Sequence, residues 1–494
     1  MKDWLSEAAG LFINKDFIIT GDRTVSFNKL NEKANNLVCF LQKNYKVKKG
    51  DIAAVLSENN FDFILLIFAL WKSEVVPVPI NIKLNDHETN NLLKFLKPSF
   101  IFTDPGINKN ITYHDAKFIE MANDYGIFDK NEIQESRSFT ENARDINFDD
   151  NYTALILFTS GTSGNSKGVQ LSFHNLRTSF NNSNTVLNSN KNDNWIASLP
   201  FYHIGGFSII TRALLSGASI IIPASSSSED LAYSMTMYQP TLLSLVSTQL
   251  KRLMEMGIKP SKVLKRVLLG GGYIEDSLLD EAIKEGWPIA KVYGSTETSS
   301  LVTYLDCNNN SNKKASGGKP IANNQIFIVN ERKVIVPNNT IGEIAIKSES
   351  CAKGYYNNPI ETGHKFINGI YYSGDSGYVD EEGYLFVDSR MNDLIISGGE
   401  NINPLEIETA LMEYSGIQNA AVFGQEDDEW GQIVSAAIIT KTGFNISEEE
   451  LKNFLLSKIS SFKLPKRYYF MNDFPMGPLG KVQKNKLREI IKNY

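Results

Sequence analysis

The sequence predicts an α/β protein in which a large domain of stacked α/β subdomains with a sheet-rich end precedes a small α+β domain. Helical and strand patterns alternate from residue 27 to about 105 and resume from about 154 to 294. Strand patterns dominate from about 325 to 388, and a compact α+β pattern follows. Repeated strand and helix units favour a sheet buried on both faces. We therefore expect an N-terminal domain at 1–392 and a C-terminal domain at 393–494.

The first elements follow from apolar spacing. Apolar residues three and four apart predict a helix over 27–41, and IAAVL at 52–56 predicts a buried strand. The same reasoning gives a helix at 60–73, a strand at 75–80, a helix near 86–96 and a strand at 99–104. Further strands are predicted at ALILFT, ASIIIP, TLLSLV, VLLGGG and IAKVYG.

The C-terminal region carries its own helix signals. Asn403 is predicted to cap a helix with Pro404 at its first position and Glu406 in its first turn. The strands AAVFG and VSAAIIT follow. Ser447 and Glu450 then form a predicted capping box for the helix ELKNFLLSKI, so this region has the elements of an independent domain.

Composition restricts the class of partner. The net charge is −6 with acids and bases interspersed, which gives no basic footprint for nucleic acid. The three cysteines form neither a CxxC motif nor a Cys/His cluster. The longest apolar run, Phe63–Trp71, is less than half of the roughly 20 residues that a membrane span needs, and the first residues lack a secretory signal pattern. We expect a cytoplasmic protein that acts on small molecules.

The segment LILFTSGTSGNSKGV, residues 155–169, has the composition of a phosphate-binding loop. A strand pattern runs into Gly, Ser and Thr residues and ends in a lysine, so backbone N–H groups, hydroxyls and one cation come together. The Walker A spacing is absent. A plain turn also fits the residues taken alone. The candidate ATP-binding residues here are Thr159, Ser160, Gly161, Thr162, Ser163, Gly164 and Lys167.

TSGTSGNSKGV resembles the phosphate loop of the adenylate-forming (ANL) acyl-CoA ligases, whose usual form is TSGTTGxPKG, with Ser166 in the place of the family's proline. Other motifs of that family follow in order from about Thr24 to Arg488. The resemblance implies the ANL fold with a mobile C-terminal lid, and ATP, Mg²⁺ and coenzyme A as reactants and cofactor. A homodimer is compatible with it.

LLGGG at 268–272 and VYGSTET at 292–298 resemble the adenine loop and the YGxTE motif of the family. The resemblance assigns the adenine site to Gly271, Gly272 and Tyr293, and it places Gly294 among the ATP-binding residues. It assigns an α-phosphate contact to Thr296 and the magnesium ion to Glu297. A carboxylate beside a hydroxyl suits Mg²⁺, which prefers one or two carboxylates plus phosphate oxygens.

Two further segments resemble the ribose site and the hinge. Asp375 matches the ribose-binding aspartate and Arg390 a second ribose contact. The resemblance makes Asp393 the hinge between an adenylating and a thioester-forming arrangement of the lid. It assigns backbone for the coenzyme A step to Ser397, Gly398 and Gly399. Hinges absorb large backbone changes at few residues.

Lys481 in PMGPLGKVQKNKLR falls at the catalytic lysine of the family. A carboxylate that attacks an α-phosphate brings two anions together, so a cation between them lowers the barrier. Taken without the resemblance, Lys481 also fits a solvated lysine in a basic tail. The predicted catalytic residues are Lys481, Thr296 and Glu297.

The acid is predicted from LPFYHIGGFSIITRALLSG and SLVSTQLKRLM, which resemble the o-succinylbenzoate-CoA ligase branch of menaquinone biosynthesis. That substrate has two carboxylates, so one must be recognised while the other reacts. His203, Arg212 and Ser299 are the candidate acyl-pocket residues. The alternatives are a medium-chain fatty acyl-CoA or aryl-CoA ligase, an enzyme that loads a carrier protein, and a non-catalytic nucleotide-binding protein.

Overall fold

A computed structural model of the chain describes residues 3–21, 23–107, 109–121, 149–159, 166–272, 274, 276–390, 394–475, 482 and 484–492. It has the predicted mixed α/β architecture, with a large domain followed by a small one. The α-helices of these ranges are Trp4–Leu11, Phe27–Phe40, Phe61–Lys72, Asp86–Leu96, Phe173–Leu187, Ile204–Ser216, Ser228–Tyr238, Ser247–Glu255, Asp276–Lys284, Pro359–Lys365, Pro404–Met412, Glu448–Leu456 and Lys484–Ile491.

A nine-stranded sheet forms the centre of the large domain. Its strands, in spatial order, are Lys319–Pro320, Ser300–Asp306, Ile289–Ser295, Arg266–Leu269, Leu242–Leu245, Asn194–Ile196, Ser219–Ile222, Asp16–Thr20 and Arg23–Ser26. The six strands from Ile289–Ser295 to Asp16–Thr20 are parallel to one another. The strands added at the two edges pair antiparallel. The strands predicted at residues 154–294 are confirmed, because all five segments form strands.

A four-stranded parallel sheet contains the early elements of the chain. Its order is Val76–Pro79, Ile52–Leu56, Phe100–Thr103 and Lys117–Glu120. The helix Phe61–Lys72 begins after Asn60, whose side chain accepts a hydrogen bond from Phe63 N. Every residue of this helix except Asp62 is buried. The apolar run is therefore a core helix, as predicted.

Two antiparallel sheets form the sheet-rich end of the large domain. The three-stranded sheet joins Gly354–Tyr355, Lys167–Ser172 and Thr153–Thr159 in that order. The five-stranded sheet has the order Gln325–Val329, Gly342–Lys347, Ile370–Val379 and Phe366–Ile367, with Leu385–Arg390 also paired to Ile370–Val379. The first of these sheets places Lys167 at the start of its central strand.

The small domain is a five-stranded sheet covered by helices. Its order is Glu400–Ile402, Ile395–Ser397, Gly431–Thr440 and Ile417–Asp427, with Arg467–Phe470 parallel to Gly431–Thr440. Asn403 accepts a hydrogen bond from Leu405 N, and Pro404 opens the helix. The capping box of Ser447 and Glu450 is also present. Both predicted helix starts are confirmed.

Candidate active site

A cavity of about 540 Å³ lies between the two domains. It is bordered by the carboxyl ends of the parallel strands, the site favoured for ligands in open α/β sheets. The sequence-predicted residues that line it are Thr159, Lys167, His203, Arg212, Gly271, Gly294, Thr296, Glu297, Asp375, Gly398 and Gly399. The fold thus collects residues from six separate sequence motifs around one space.

Glu297 is held at the cavity by a buried tyrosine. Its Oε1 accepts a hydrogen bond from Tyr355 Oη at 3.0 Å. Burial, followed by the charge of Glu297, raises the pKa of Tyr355, so the phenol stays a donor. Gly294 permits the close approach of the neighbouring strand, since a Cβ there would lie 2.0 Å from Ser300 O.

The cavity fits a magnesium ion carried by phosphates. No cluster of three or more His, Cys, Asp or Glu side chains occurs in the described part of the chain. Glu297 lines the cavity in the predicted phosphate region, beside Thr296, and its Oε1 is bound to Tyr355. One carboxylate suits Mg²⁺, which keeps waters and takes its other ligands from substrate phosphates.

The predicted adenine and ribose residues lie on two neighbouring sheets. Tyr293 Oη donates to Asp375 Oδ2 at 2.8 Å, and Asp375 lies opposite Arg390 in an antiparallel pair. Gly271 adopts φ +86°, which favours glycine. A Cβ at Gly272 would be 3.0 Å from Ile396 Cδ1, so the small domain covers this loop. Tyr293 and Gly272 border the site without lining the cavity.

Arg212 is a buried cation on the helix Ile204–Ser216. Its side chain donates from Nη2 to Ser300 Oγ at 3.1 Å and stacks over the Trp195 ring at 5.9 Å. Its Nε has no hydrogen-bond partner, and no described carboxylate forms an ion pair with it. Burial alone lowers the pKa of Arg212 to about 10, so the side chain is still charged at neutral pH.

Ser299, the predicted acyl-pocket residue, is buried beside the cavity and turns its side chain away from it. Ser299 Oγ donates to Ser350 O at 2.7 Å, and Ser299 does not line the cavity. Ser300 lines it instead. Ser299 and Ser300 both have positive φ, 56° and 102°, so the strand alternation that would aim Ser299 inward is lost here. Sequence periodicity gave no signal of this distortion.

His203 precedes the Arg212 helix and contacts the small domain. Its Nε2 lies 3.1 Å from Glu400 Oε2, and Lys83 Nζ donates to Glu400 Oε1 at 2.9 Å. Asn81 Nδ2 donates to Glu400 Oε2 at 3.2 Å. Glu400 also lines the cavity. It belongs to the SGGEN segment, whose sequence gave no sign that this side chain would contact the large domain.

The two glycines of SGGEN line the cavity, and their predicted role in the coenzyme A step stays a prediction. Gly398 has φ +56°, and a Cβ there would lie 2.9 Å from the Trp430 ring. Gly399 has φ +85°, and its Cβ would lie 3.5 Å from Val246 in the large domain. Ser397 ends the strand Ile395–Ser397 and does not line the cavity. Backbone of the small domain therefore closes one side of the site.

Several predicted residues lie outside the described residues. They are Ser160, Gly161, Thr162, Ser163 and Gly164 of the phosphate loop, the hinge Asp393 and the catalytic candidate Lys481. The backbone of Arg390 is described, and its side chain is not. Their roles stay predictions.

Two family models match this chain. Residues 5–356 match the AMP-binding enzyme family, and residues 406–481 match the AMP-binding enzyme C-terminal domain. A protein of Bacillus cereus (strain AH820) named 2-succinylbenzoate-CoA ligase is 34% identical over 99% of this chain and 98% of its own length. A protein of Bacillus subtilis (strain 168) with the same name is 31% identical over 99% and 98%.

Solved structures give the same comparison in three dimensions. A double mutant of o-succinylbenzoate CoA synthetase from Bacillus subtilis, bound to the product analogue OSB-NCoA, has a TM-score of 0.89. The complex of that synthetase with the acyl-adenylate OSB-AMP has a TM-score of 0.74. Both are 30% identical and cover 99% of this chain and 98% of theirs. Among the described residues, no helix combines the length and apolarity that crossing a bilayer requires.

Proposed function

The chain belongs to the AMP-binding enzyme family, and from this membership we propose that it is an ATP-dependent acid-thiol ligase acting on o-succinylbenzoate. It converts the acid, ATP and coenzyme A into o-succinylbenzoyl-CoA, AMP and pyrophosphate. The relatives named 2-succinylbenzoate-CoA ligase match it over nearly their whole length, which supports both the reaction and the acid.

The observation that carries the choice of acid is the uncompensated charge of Arg212. A cation that is 3% exposed costs several kcal/mol to bury without an anion. Arg212 has Ser300 and Trp195 beside it and no carboxylate partner in the described residues. A substrate with a second carboxylate supplies the missing anion. A fatty acid or a simple aryl acid does not.

The first step joins the reacting carboxylate to the α-phosphorus of ATP. A carboxylate oxygen attacks, the bond between the α-phosphorus and the bridging oxygen breaks, and pyrophosphate leaves. The protein contributes position and charge. Thr296 and Lys167 line the cavity, and we assign them to the α-phosphate and to the departing phosphates. Glu297 would hold Mg²⁺, which neutralises phosphate charge. Lys481 is assigned the cation between the two anions.

The second step transfers the acyl group to sulfur. The coenzyme A thiol attacks the activated carbonyl, and AMP leaves with its phosphate oxygen. No general base is needed for adenylation, because the attacking carboxylate is already ionised at neutral pH. We therefore assign His203 a role in lining the acyl pocket and in binding Glu400, not in proton transfer.

We propose that the described domain arrangement is the one that forms the thioester. Gly398 and Gly399 line the cavity, and Glu400 reaches His203. The higher TM-score with the OSB-NCoA complex, 0.89 against 0.74 for the OSB-AMP complex of the same synthetase, supports this assignment. A hinge at Asp393, between domains 1–392 and 393–494, would permit the other arrangement.

The direct test is a substrate panel. Pyrophosphate release and thioester mass are measured with ATP, Mg²⁺, coenzyme A and each of o-succinylbenzoate, octanoate, benzoate and 4-coumarate. We expect thioester from o-succinylbenzoate alone. Selective use of octanoate or an aryl acid would keep the reaction and overturn the acid. Release of pyrophosphate without a coenzyme A product would point to an enzyme that loads a carrier protein.

Two further properties belong to the same proposal. We place the enzyme in the cytoplasm, where ATP and coenzyme A are available, and fractionation of the source cells tests this. The homodimer compatible with the family stays a prediction, and light scattering on the purified full chain measures it.

A further inference from the structure

The predicted phosphate lysine has an acidic partner that no motif explains. Lys167 Nζ lies 2.5 Å from Glu361 Oε1 and 5.4 Å from the centre of the Tyr355 ring. The side chain of Lys167 is 7% exposed and that of Glu361 25%. Lys167 lines the cavity and Glu361 does not. The carboxylate therefore stands behind the cation, on the side away from the substrate space.

Glu361 is held firmly in this position. It lies in the helix Pro359–Lys365, where its N–H donates to the capping residue Asn358 at 3.1 Å. Thr362 Oγ1 accepts from Tyr355 N at 2.9 Å, which ties the helix to the strand Gly354–Tyr355. That strand pairs directly with the strand of Lys167. The ion pair is thus built within the large domain and needs no contact from the small one.

The same strand places Lys167 close to the predicted metal carboxylate. Tyr355 donates from its hydroxyl to Glu297 and presents its ring to Lys167. The cation and Glu297 therefore flank one region of the cavity, where a polyphosphate with its metal ion would lie. In the arrangement assigned to thioester formation, from which pyrophosphate has already departed, Lys167 is paired with Glu361.

We propose that Glu361 is a positioning residue that competes with pyrophosphate for Lys167. It holds the cation between turnovers and replaces the leaving pyrophosphate as its counter-ion, which weakens retention of that product. A cation that must exchange one anion for another binds the incoming anion less tightly than a free cation does. This inference rests on the proposed function, because it takes pyrophosphate as a product.

Removing the charge of Glu361 should raise the affinity for pyrophosphate, which a purely structural role of this residue does not predict. Glu361→Gln keeps the shape of the side chain and removes its charge, so pyrophosphate should bind roughly three- to tenfold more tightly. If Glu361 only supported the local fold, the substitution would leave pyrophosphate binding unchanged or weaken it. Calorimetric titration of the full chain with pyrophosphate and Mg²⁺ measures the dissociation constant. Thermal unfolding of each variant checks that it is folded.

Two controls test whether tighter pyrophosphate binding comes from the contact of Glu361 with Lys167 or only from the change in net charge. Glu349→Gln removes one negative charge from an exposed pair with His174 and should leave pyrophosphate binding unchanged. In a Lys167→Met background, Glu361→Gln should give no gain, because the two residues act through one contact. Glu361→Ala should repeat the tighter binding. Product inhibition by pyrophosphate in steady-state assays should strengthen by the same factor.

The binding measurements distinguish failure of the role proposed for Glu361 from failure of the proposed ligase function. Unchanged or weaker pyrophosphate binding by Glu361→Gln, with normal binding by the wild type, would overturn the role of Glu361 alone. An equal gain in the Lys167→Met background would also overturn it. If the wild type binds neither pyrophosphate nor Mg²⁺-ATP, the proposed ligase function is itself overturned.

Discussion

Glu400 of the small domain accepts a hydrogen bond from His203 of the large domain, with 3.1 Å between Oε2 and Nε2. Glu400 is 5% exposed and is also paired with Lys83. Burial opposes its ionisation, but His203 and then Lys83 outweigh burial and lower the pKa of Glu400 to about 2. A charge of one domain is thus stabilised by groups of the other at the edge of the active site.

Glu400→Gln should slow the thioester step selectively. The amide keeps the shape but loses the charge attraction to Lys83 and the charge-assisted hydrogen bond with His203, so the assigned thioester arrangement becomes less populated. We expect about a tenfold lower rate from supplied acyl-adenylate, which corresponds to ~1.4 kcal/mol, and an adenylation rate within about twofold of wild type. Single-turnover assays of each half-reaction measure this. Glu413→Gln, an exposed residue paired within the small domain, is the control.

The sign of the pH dependence follows from the lowered pKa. A free glutamate titrates near pH ~4.3, so the interdomain pairing of Glu400 is fully present above that value. It is lost as pH falls toward the pKa of about 2 in the paired state. Protonation of Glu400 should therefore not separate the two domains between pH ~5 and ~8, which small-angle scattering measures as an unchanged radius of gyration. If the domains of the wild type separate within this pH range and those of Glu400→Gln do not, the lowered pKa assigned to Glu400 would be contradicted.

Lys463→Met should weaken another ionic contact between the domains. Lys463 is buried and pairs with Glu88 of the large domain and, at 2.7 Å, with Glu406 of its own. Burial opposes its charge, yet the two carboxylates raise its pKa overall. The variant leaves two carboxylates without their cation, so we expect a loss of roughly 3 kcal/mol, measured as a lower midpoint of thermal unfolding.

The exposed pair of Lys458 with Glu413 provides the matched control for that loss. Lys458→Met should change stability by less than about 1 kcal/mol, as is usual for surface ion pairs. Adding Glu88→Gln to Lys463→Met should restore part of the loss. If Lys463→Met and Lys458→Met lower the free energy of unfolding equally, the buried ion pair stabilises the protein no more than an exposed one does.

Arg212→Leu should remove recognition of the second carboxylate. Loss of a buried charge partner costs about 2 to 5 kcal/mol, so kcat/KM for o-succinylbenzoate should fall by at least about 30-fold. Any residual activity with benzoate should not fall, because a monoacid has no group for Arg212. Steady-state kinetics with both acids measure the difference. Arg332→Leu, at an exposed arginine outside the cavity, serves as the control. If Arg212→Leu has an unchanged KM for o-succinylbenzoate, Arg212 does not recognise the second carboxylate.

Lys481→Ala should slow adenylation by at least the roughly 10²- to 10³-fold typical of losing one preorganised charge donor. Thioester formation from supplied acyl-adenylate should be largely retained, because the cation acts on the first step only. Pyrophosphate release and thioester formation are therefore measured separately. Lys486→Ala, at an exposed lysine of the last helix, controls for the charge of the tail. Equal losses in both half-reactions would count against two domain arrangements.

Much of the fold could be predicted because its signals are local. Apolar spacing and caps such as Asn403 and Ser447 act within one or two turns of the chain. The glycine and hydroxyl motifs follow strands whose carboxyl ends meet, so the sequence indicated that they lie close together. Described residues of motifs far apart in sequence do line one cavity, and their roles toward the substrates stay predictions.

The sequence by itself determined the elements, the two-domain order and the motifs of an adenylating enzyme. Only the tertiary structure decided which side chains face each other, as for His203 and Glu400, 197 residues apart, and Lys167 and Glu361, 194 apart. It also decided that Ser300 and not Ser299 reaches Arg212. The reason is physical: backbone periodicity is set by neighbours in sequence, whereas burial, charge pairing and local distortion depend on packing between distant segments.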